Sequence, residues 1–454
     1  MTALFDQEVA TLQRMAKEMG LTTAEFYLEK HQSLSIQAFN QEIETFSQST
    51  TMGLGVRVLK DGGQGYAYTE QLSDLGLEMA LNEAIANAAL VPAPEGAEIR
   101  SFPESLPMDL YNAGIGEVPV EDKIARAKAI ELAAKAVDER IEQVPYAYYQ
   151  DGSGWVRIAN TMGLDRTHRS NIAMIACEAI AVGGGLHKEH YDVKASRQFT
   201  DLKPEVLAAK VAGEALHKLG AKDIVSGHYP IVFDRDAFCS LLNTFWGIFS
   251  AKAAQEGKSR LKDKIGETIA SPVVTLIDDP LEARAYRSRP FDDEGCPSKA
   301  LSVIDKGVFT GFFHNVQTAN RAKTETTGHG TRSGFKGVVG VAPSNLILQP
   351  GDLDLAGLLA TPDKAVYITG VTGLHAGTNG ISGDFSLQAE GYYYEKGVEQ
   401  YPVHLFTVSG NFYDLLKGIT HVGSDLVFEP GGAAVTPSVL VESLAIAGAG
   451  VVAE

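Results

Sequence analysis

The stretch EIETFSQSTTMGLGVRVLKDGGQGYAYTEQ, residues 42–71, decides the fold. Leu54, Val56 and Val58 alternate with other residues, as do Tyr66 and Tyr68, and Asp61-Gly62-Gly63 stands between the two runs. A period of two bounded by turn residues is the pattern of a strand. Upstream, AEFYLEK (24–30) and LSIQAFN (34–40) alternate in the same way. Together they predict an antiparallel meander with one face buried. GLGVRV (53–58) carries two of the three glycines of a dinucleotide-binding turn, but no helix follows. It reads as a strand whose glycines leave room for close backbone packing.

Working outward, helical spacing covers residues 4–19, 72–90, about 121–139 and 205–220, the last with Gly220 as a C-cap. A connector with prolines, VPAPEGAEIRSFPESLP (91–107), separates the second and third helices, and alternation returns over 144–183. The second half opens with a strand, HYPIVFD (228–234), and a helix from Asp236 to about Gln255. Short strands follow, with turns at Asp305-Lys306-Gly307, Pro350-Gly351-Asp352 and Glu395-Lys396-Gly397. Strands and helices come in runs, which predicts an α+β fold. Two domains are expected, 1–222 and a β-rich 223–454, each with helices packed on large, mostly antiparallel sheets.

Bulk composition narrows the function. The 454 residues are 44% hydrophobic and 21% charged, ordinary globular usage. With 39 Lys and Arg against 57 Asp and Glu, the formal charge of −18 repels phosphate backbones, so direct nucleic-acid binding is not expected. Three dispersed cysteines, Cys177, Cys239 and Cys296, make neither a disulfide framework nor a cysteine zinc site. No apolar run reaches the roughly 18–20 residues of a membrane span. A cytoplasmic protein is expected.

Most local chemistry is declined. EGKS (256–259) ends like a phosphate loop, but Lys252 stands where its first glycine is required. No GxSxG and no HExxH occurs. SGDFS (382–386) places serines beside Asp384 without a neighbouring histidine, so Asp384 reads as a turn residue. His187 and His190 in GLHKEHYD could form a metal pair on a helix, but the preceding Gly183-Gly184-Gly185 favours a loop or strand end. His329 in TTGHGTR reads as a loop residue, and His314 in GFFHN as a half-buried hydrogen-bonding residue.

The order of several pieces resembles the TldD/PmbA, or modulator-of-gyrase, family. These are KGVFTGFFHNVQTANR (306–321), TTGHGTR (326–332), SNLILQPG (344–351), GLHAGTNGISGDFSLQAEGYYYEKGVEQYPV (373–403) and SGNFYDLLKGITHVGSDL (409–426). One branch of that family carries HExxxH on a helix, and a later cysteine completes a metal site. In such a site zinc-bound water becomes a nucleophile near neutral pH. Counting back from Gly257 in AQEGKSRLKDKIGETIASPVVTLIDDP aligns that motif with LNTFWG. Leu242 would replace the first histidine, Asn243 the glutamate and Gly247 the second histidine, and EPGGAAVTP (429–437) has glycines where the cysteine is expected.

The resemblance therefore implies the TldE/PmbA branch, without catalytic, metal or cofactor residues of its own. It implies pairing with a TldD-type metalloprotease subunit that trims leader peptides of modified peptide antibiotics or degrades small antitoxins. A homodimer is the alternative assembly when the chain is alone. Trp246, in an unusually apolar helix, and His375 and Asp384, in the glycine-rich loop, are the candidate peptide or partner contacts. Two other readings are a peptide-binding or assembly protein without a protease partner, and an independent hydrolase with a metal at His187 and His190.

Overall fold

In a computed structural model, which describes residues 4–450, the opening stretch forms the strands Glu42–Lys60 and Gly63–Thr69. The turn between them places Asp61 at φ 51° and Gly62 at φ 79°, left-handed conformations that aspartate and glycine tolerate best. The first sheet has six strands, in the order Gly63–Thr69, Glu42–Lys60, Ala24–Phe39, Ile141–Asn160, Asp165–Gly183, Leu186–Ser196. Every neighbouring pair in it is antiparallel.

Leu54, Val56 and Val58 are fully buried beneath the helix Asp74–Leu90, against its Leu77, Leu81 and Ala84. Ser73 caps that helix, accepting a hydrogen bond from the Gly76 amide at 3.4 Å. The helices Val120–Lys135 and Pro204–His217 cover the other end of the sheet through Ile130, Leu207 and Val211 against Tyr149 and Ile175. One expectation needs correcting. Residues 42–52 are exposed throughout rather than half-buried. The strand Gly63–Thr69 pairs only with residues 54–60, so the outer half of Glu42–Lys60 is a free edge.

The second half carries a six-stranded sheet in the order Val398–Asn411, Asp384–Glu395, Lys364–Thr372, Gly227–Phe233, Val439–Ala447, Ile419–Val422. Its first strand also pairs with Val439–Ala447. A five-stranded sheet runs Val308–Phe309, Leu301–Asp305, Leu276–Asp278, Leu346–Leu348, Ala434–Val435. Pairing is antiparallel except between Gly227–Phe233 and Lys364–Thr372, and between Leu346–Leu348 and Ala434–Val435. The α+β class with large, mostly antiparallel sheets is what the sequence predicts. The core is rich in phenylalanine; Phe245 stacks on Phe412 with ring centroids 4.7 Å apart.

Where the two halves meet, the glycines of GLGVRV do their work. A Cβ on Gly53 would lie 2.4 Å from the Phe335 ring, and one on Gly55 would lie 2.2 Å from the Phe335 carbonyl oxygen. Buried acidic and basic groups surround this seat: Arg332 pairs with Glu25, and the Arg57 guanidinium lies 3.6 Å from the Glu294 carboxyl. Burial and the neighbouring Asp292 carboxylate push the Glu294 pKa up to about 8.

Candidate functional site

The helix Arg235–Phe245 carries the positions aligned with the family's metal motif. Asp234 caps it, accepting from the Asp236 amide at 2.9 Å. Ala237, Phe238, Leu241, Leu242 and Phe245 face the core at helical spacing. Asp236, Cys239, Ser240 and Asn243 lie on the other side, lining a cavity of about 380 Å³ closed by residues 427–436. The helix does not continue to Gln255 as the sequence suggested. It ends at Phe245, turns through a tight helical segment Trp246–Phe249, and restarts as Ala251–Gln255. Backbone bonds from Ala251 N to Phe313 O and from Phe313 N to Phe249 O hold the break, where Ser250 forms an isolated bridge with Phe313.

Of the three aligned positions, only Asn243 lines the cavity. Leu242 is 1% exposed and belongs to the apolar core. Gly247 lies in the tight turn, with no atom within 4 Å of where its Cβ would stand. Asn243 Oδ1 accepts from the Ala434 amide at 2.8 Å, and Gly432 approaches it so closely that a Cβ there would lie 2.1 Å from Asn243 Oδ1. Glycine at 432 is thus the residue that lets the loop close on the helix.

These residues do not fit a catalytic zinc, which takes about three histidine, cysteine or carboxylate ligands. Burial pushes the Cys239 thiol up to about 11, and its Sγ lies 3.3 Å from the Thr436 hydroxyl. Among the described residues, no three His, Cys, Asp or Glu side chains converge as metal ligands. His187 and His190 lie in the strand Leu186–Ser196, three residues apart. That odd spacing points them to opposite faces of the sheet, so they cannot share a metal.

The small cavity shares Tyr191, Asp192, Arg235 and Asp236 with a larger one of about 570 Å³. This cleft lies between the halves of the chain: the strand Leu186–Ser196 and helix Pro204–His217 on one side, and the strands Lys364–Thr372 and Asp384–Glu395 on the other. Its wall is charged and tyrosine-rich. Lys210 pairs with Asp192 at 2.7 Å and Lys218 with Glu390 at 2.8 Å. The Tyr367 hydroxyl donates to Asp234 and that of Tyr392 to Glu214, both at 2.6 Å. Burial, then these carboxylates, keep both phenols protonated.

The run GYYYEKG is a strand whose alternation splits the three tyrosines. Tyr392 and Tyr394 line the cleft, while Tyr393 packs into the core beside Tyr229. The predicted turn at Glu395-Lys396-Gly397 closes a hairpin between this strand and Val398–Asn411. The cleft tyrosines were not singled out from the sequence; their period-two spacing was the available signal.

The other singled-out residues lie elsewhere. Trp246 is half-buried against the core and lines neither cavity. His375 is exposed in a turn. Asp384 accepts from the Ser382 hydroxyl and the Asn411 amide, both at 2.7 Å, fixing the start of its strand. His329 is buried, with one ring nitrogen 3.0 Å from Asp278 and the other 2.8 Å from the Thr327 hydroxyl, so it is a structural tie and not an open loop residue.

Comparison with known proteins agrees with this architecture. Family models described as PmbA/TldA metallopeptidase domain 1, central domain and C-terminal domain match residues 24–88, 114–219 and 226–448. The chain belongs to the PmbA/TldD family. Its relatives in that family include a Haemophilus influenzae protein named as a metalloprotease PmbA homologue, 24% identical over 97% of this chain and 96% of the relative. The crystal structure of a protein from Thermotoga maritima described as a modulator of a DNA gyrase is 33% identical. It superposes with a TM-score of 0.90, covering 98% of this chain and 100% of that one. TldE from Thermococcus kodakarensis, 22% identical, shares the fold with a TM-score of 0.88 over 97% of this chain and 100% of its own. No helix among the described residues is long and apolar enough to cross a membrane.

Proposed function

We propose that this chain is the non-catalytic, TldE-type subunit of a two-component TldD/TldE metalloprotease that processes or degrades peptides in the cytoplasm. The observation that carries the reading is the chemistry of the aligned helix and its loop. Leucine sits in the core, asparagine is committed to a backbone amide, and glycines stand at 247 and 432 where a metal site needs donors. Residues 1–222 form the N-terminal domain in this reading, and 223–454 the degenerate metalloprotease domain.

In the complex, the TldD-type subunit supplies the metal and the water it activates. This chain supplies shape. The cleft between its halves, about 570 Å³ in volume, would take part of an extended peptide against its tyrosines and charged side chains. Trp246, His375 and Asp384 are assigned to partner or peptide contact. Leader peptides of modified peptide antibiotics and small antitoxins are the proposed substrates. Co-expression with a TldD-type subunit from the same genome tests the assembly step. The reading expects co-elution at a fixed stoichiometry by size exclusion with light scattering, and separate elution of two folded proteins counts against it.

A further inference from the structure

The strand Leu186–Ser196 is an edge of the first sheet, paired only with Asp165–Gly183. Gly183 pairs with Leu186 across the two-residue turn Gly184-Gly185. Residues flanking such a turn bond each other, so even-numbered residues of the edge strand turn their amides and carbonyls inward. Odd-numbered residues turn theirs outward. The side-chain bonds agree. Lys218 Nζ donates to the Glu189 carbonyl at 3.1 Å, and the Tyr286 hydroxyl donates to the Ala195 carbonyl at 2.7 Å. The Val193 amide donates to Asp192 Oδ1 at 2.8 Å. Between these ties, the outward amide and carbonyl of Tyr191 are bonded by no described residue.

Both cavities meet this edge. Glu189, His190, Tyr191 and Asp192 line the larger one, and Tyr191, Asp192 and Val193 line the smaller. Successive side chains of a strand point to opposite faces, so a cavity that touches four in a row meets the strand at its edge. Across the smaller cavity stand Asp236, Ser240 and Asn243 of the helix Arg235–Phe245. The length from Glu189 to Ala195 is roughly 20 Å at about 3.3 Å per residue, which suits a strand of about six residues. The wall is short of cations. Lys210, Lys218 and Arg235 are its lysines and arginines, and both lysines are already paired, with Asp192 and Glu390. Glu178 and Glu189 have no cation partner among the described residues. Glu178 lies opposite Tyr191 in the ladder and Glu189 opposite Ile180, so the two carboxylates and Tyr191 share one face.

We propose that an extended basic peptide adds as an antiparallel strand to the edge of Leu186–Ser196. One of its residues exchanges backbone hydrogen bonds with Tyr191, and its lysine or arginine side chains lie beside Glu178 and Glu189. In an antiparallel ladder the residue that bonds Tyr191 stands opposite it, with its side chain on the same face. The peptide amides that face the edge therefore belong to the basic residues. The inference rests on the reading that the cleft takes peptide, and it adds the binding mode and the substrate class.

The probe is the capped peptide acetyl-Thr-Lys-Thr-Lys-Thr-Lys-amide, titrated into the full chain by calorimetry. Saturable binding with a Kd of roughly 1 mM or tighter is expected. The peptide N-methylated at its lysines loses the edge-facing donors. It should bind at least about tenfold more weakly than the form N-methylated at its threonines. Glutamate in place of lysine should also weaken binding at least about tenfold. In the protein, Tyr191→Pro removes the outward amide at an edge position, where proline is tolerated. It should bind the probe at least about tenfold more weakly than Tyr191→Ala, which keeps that amide. A thermal melt checks that both variants are folded, and if Tyr191→Pro unfolds the two methylated peptides decide. Absence of saturable binding, equal binding of the methylated forms, equal binding of the lysine and glutamate peptides, or equal binding to folded Tyr191→Pro and Tyr191→Ala would overturn the proposal. Co-elution with a TldD-type subunit is measured separately, so the subunit reading can stand when strand addition fails.

Discussion

Leu242→Ala tests which way the helix Arg235–Phe245 faces. Leu242 is 1% exposed and packed in one cluster with Phe238, Leu241 and Phe245. Truncating it removes buried methyl groups and leaves a void between side chains fixed by their own neighbours. Such substitutions cost about 2–5 kcal/mol. The family's C-terminal domain spans residues 226–448, and in a domain of that size each kcal/mol moves the melting temperature by roughly 2–4 °C. The expected loss is therefore roughly 4–20 °C by differential scanning calorimetry. Asn243→Ala removes only the acceptor for the Ala434 amide, about 1–3 kcal/mol for an N–H left without its partner. Ser240→Ala is the control: its hydroxyl bonds its own helix at Asp236 O, so the change should stay within about 0.5 kcal/mol. A Leu242→Ala protein that melts with the parent would place Leu242 toward the cavity and refute the assignment of faces.

Other outcomes follow from the seam between the halves and from the apolar helix. Gly55→Val sets a side chain 2.2 Å from a backbone oxygen that cannot yield, so Phe335 should be unseated and limited proteolysis should cut between the halves. Stability should fall as pH rises from about 4.5 towards about 8, because Glu294 is held protonated in the fold and ionises readily once unfolded. Glu294→Gln should flatten that dependence, and an unchanged pH profile of the melt would show that Glu294 is already ionised. Trp246→Ala should weaken assembly with the TldD-type subunit while leaving this chain folded. Normal assembly and turnover would make Trp246 an ordinary packing residue.

The period-two runs and their turns made the meander and the turn at Lys396-Gly397 legible, and helical spacing did the same for the helix Pro204–His217, because local pattern and tertiary burial agree there. The glycines at 53 and 55 were legible as sites of close approach, though not that Phe335 would be what approaches. The break at Trp246 was hidden. Its residues are apolar and helix-compatible, and the pairing with Phe313 that ends the helix lies more than sixty positions downstream. The exposed edge at 42–52 was hidden for a similar reason, since alternation does not say how far the next strand reaches. At the site, the residue types at 242, 243 and 247 were legible, but not which way they face: only Asn243 lines the cavity. The cleft could not be read, because its walls come from strands far apart in sequence that meet only in the folded chain.

Peptidase assay of this chain alone, a TldD-type subunit alone and their mixture, on one unstructured peptide, tests the central claim most directly. The account predicts cleavage that needs the partner's metal-binding histidines, is strongest in the mixture, and is unaffected by Cys239→Ala in this chain. Cleavage by this chain alone, surviving exhaustive chelation and removal of any partner, would contradict it.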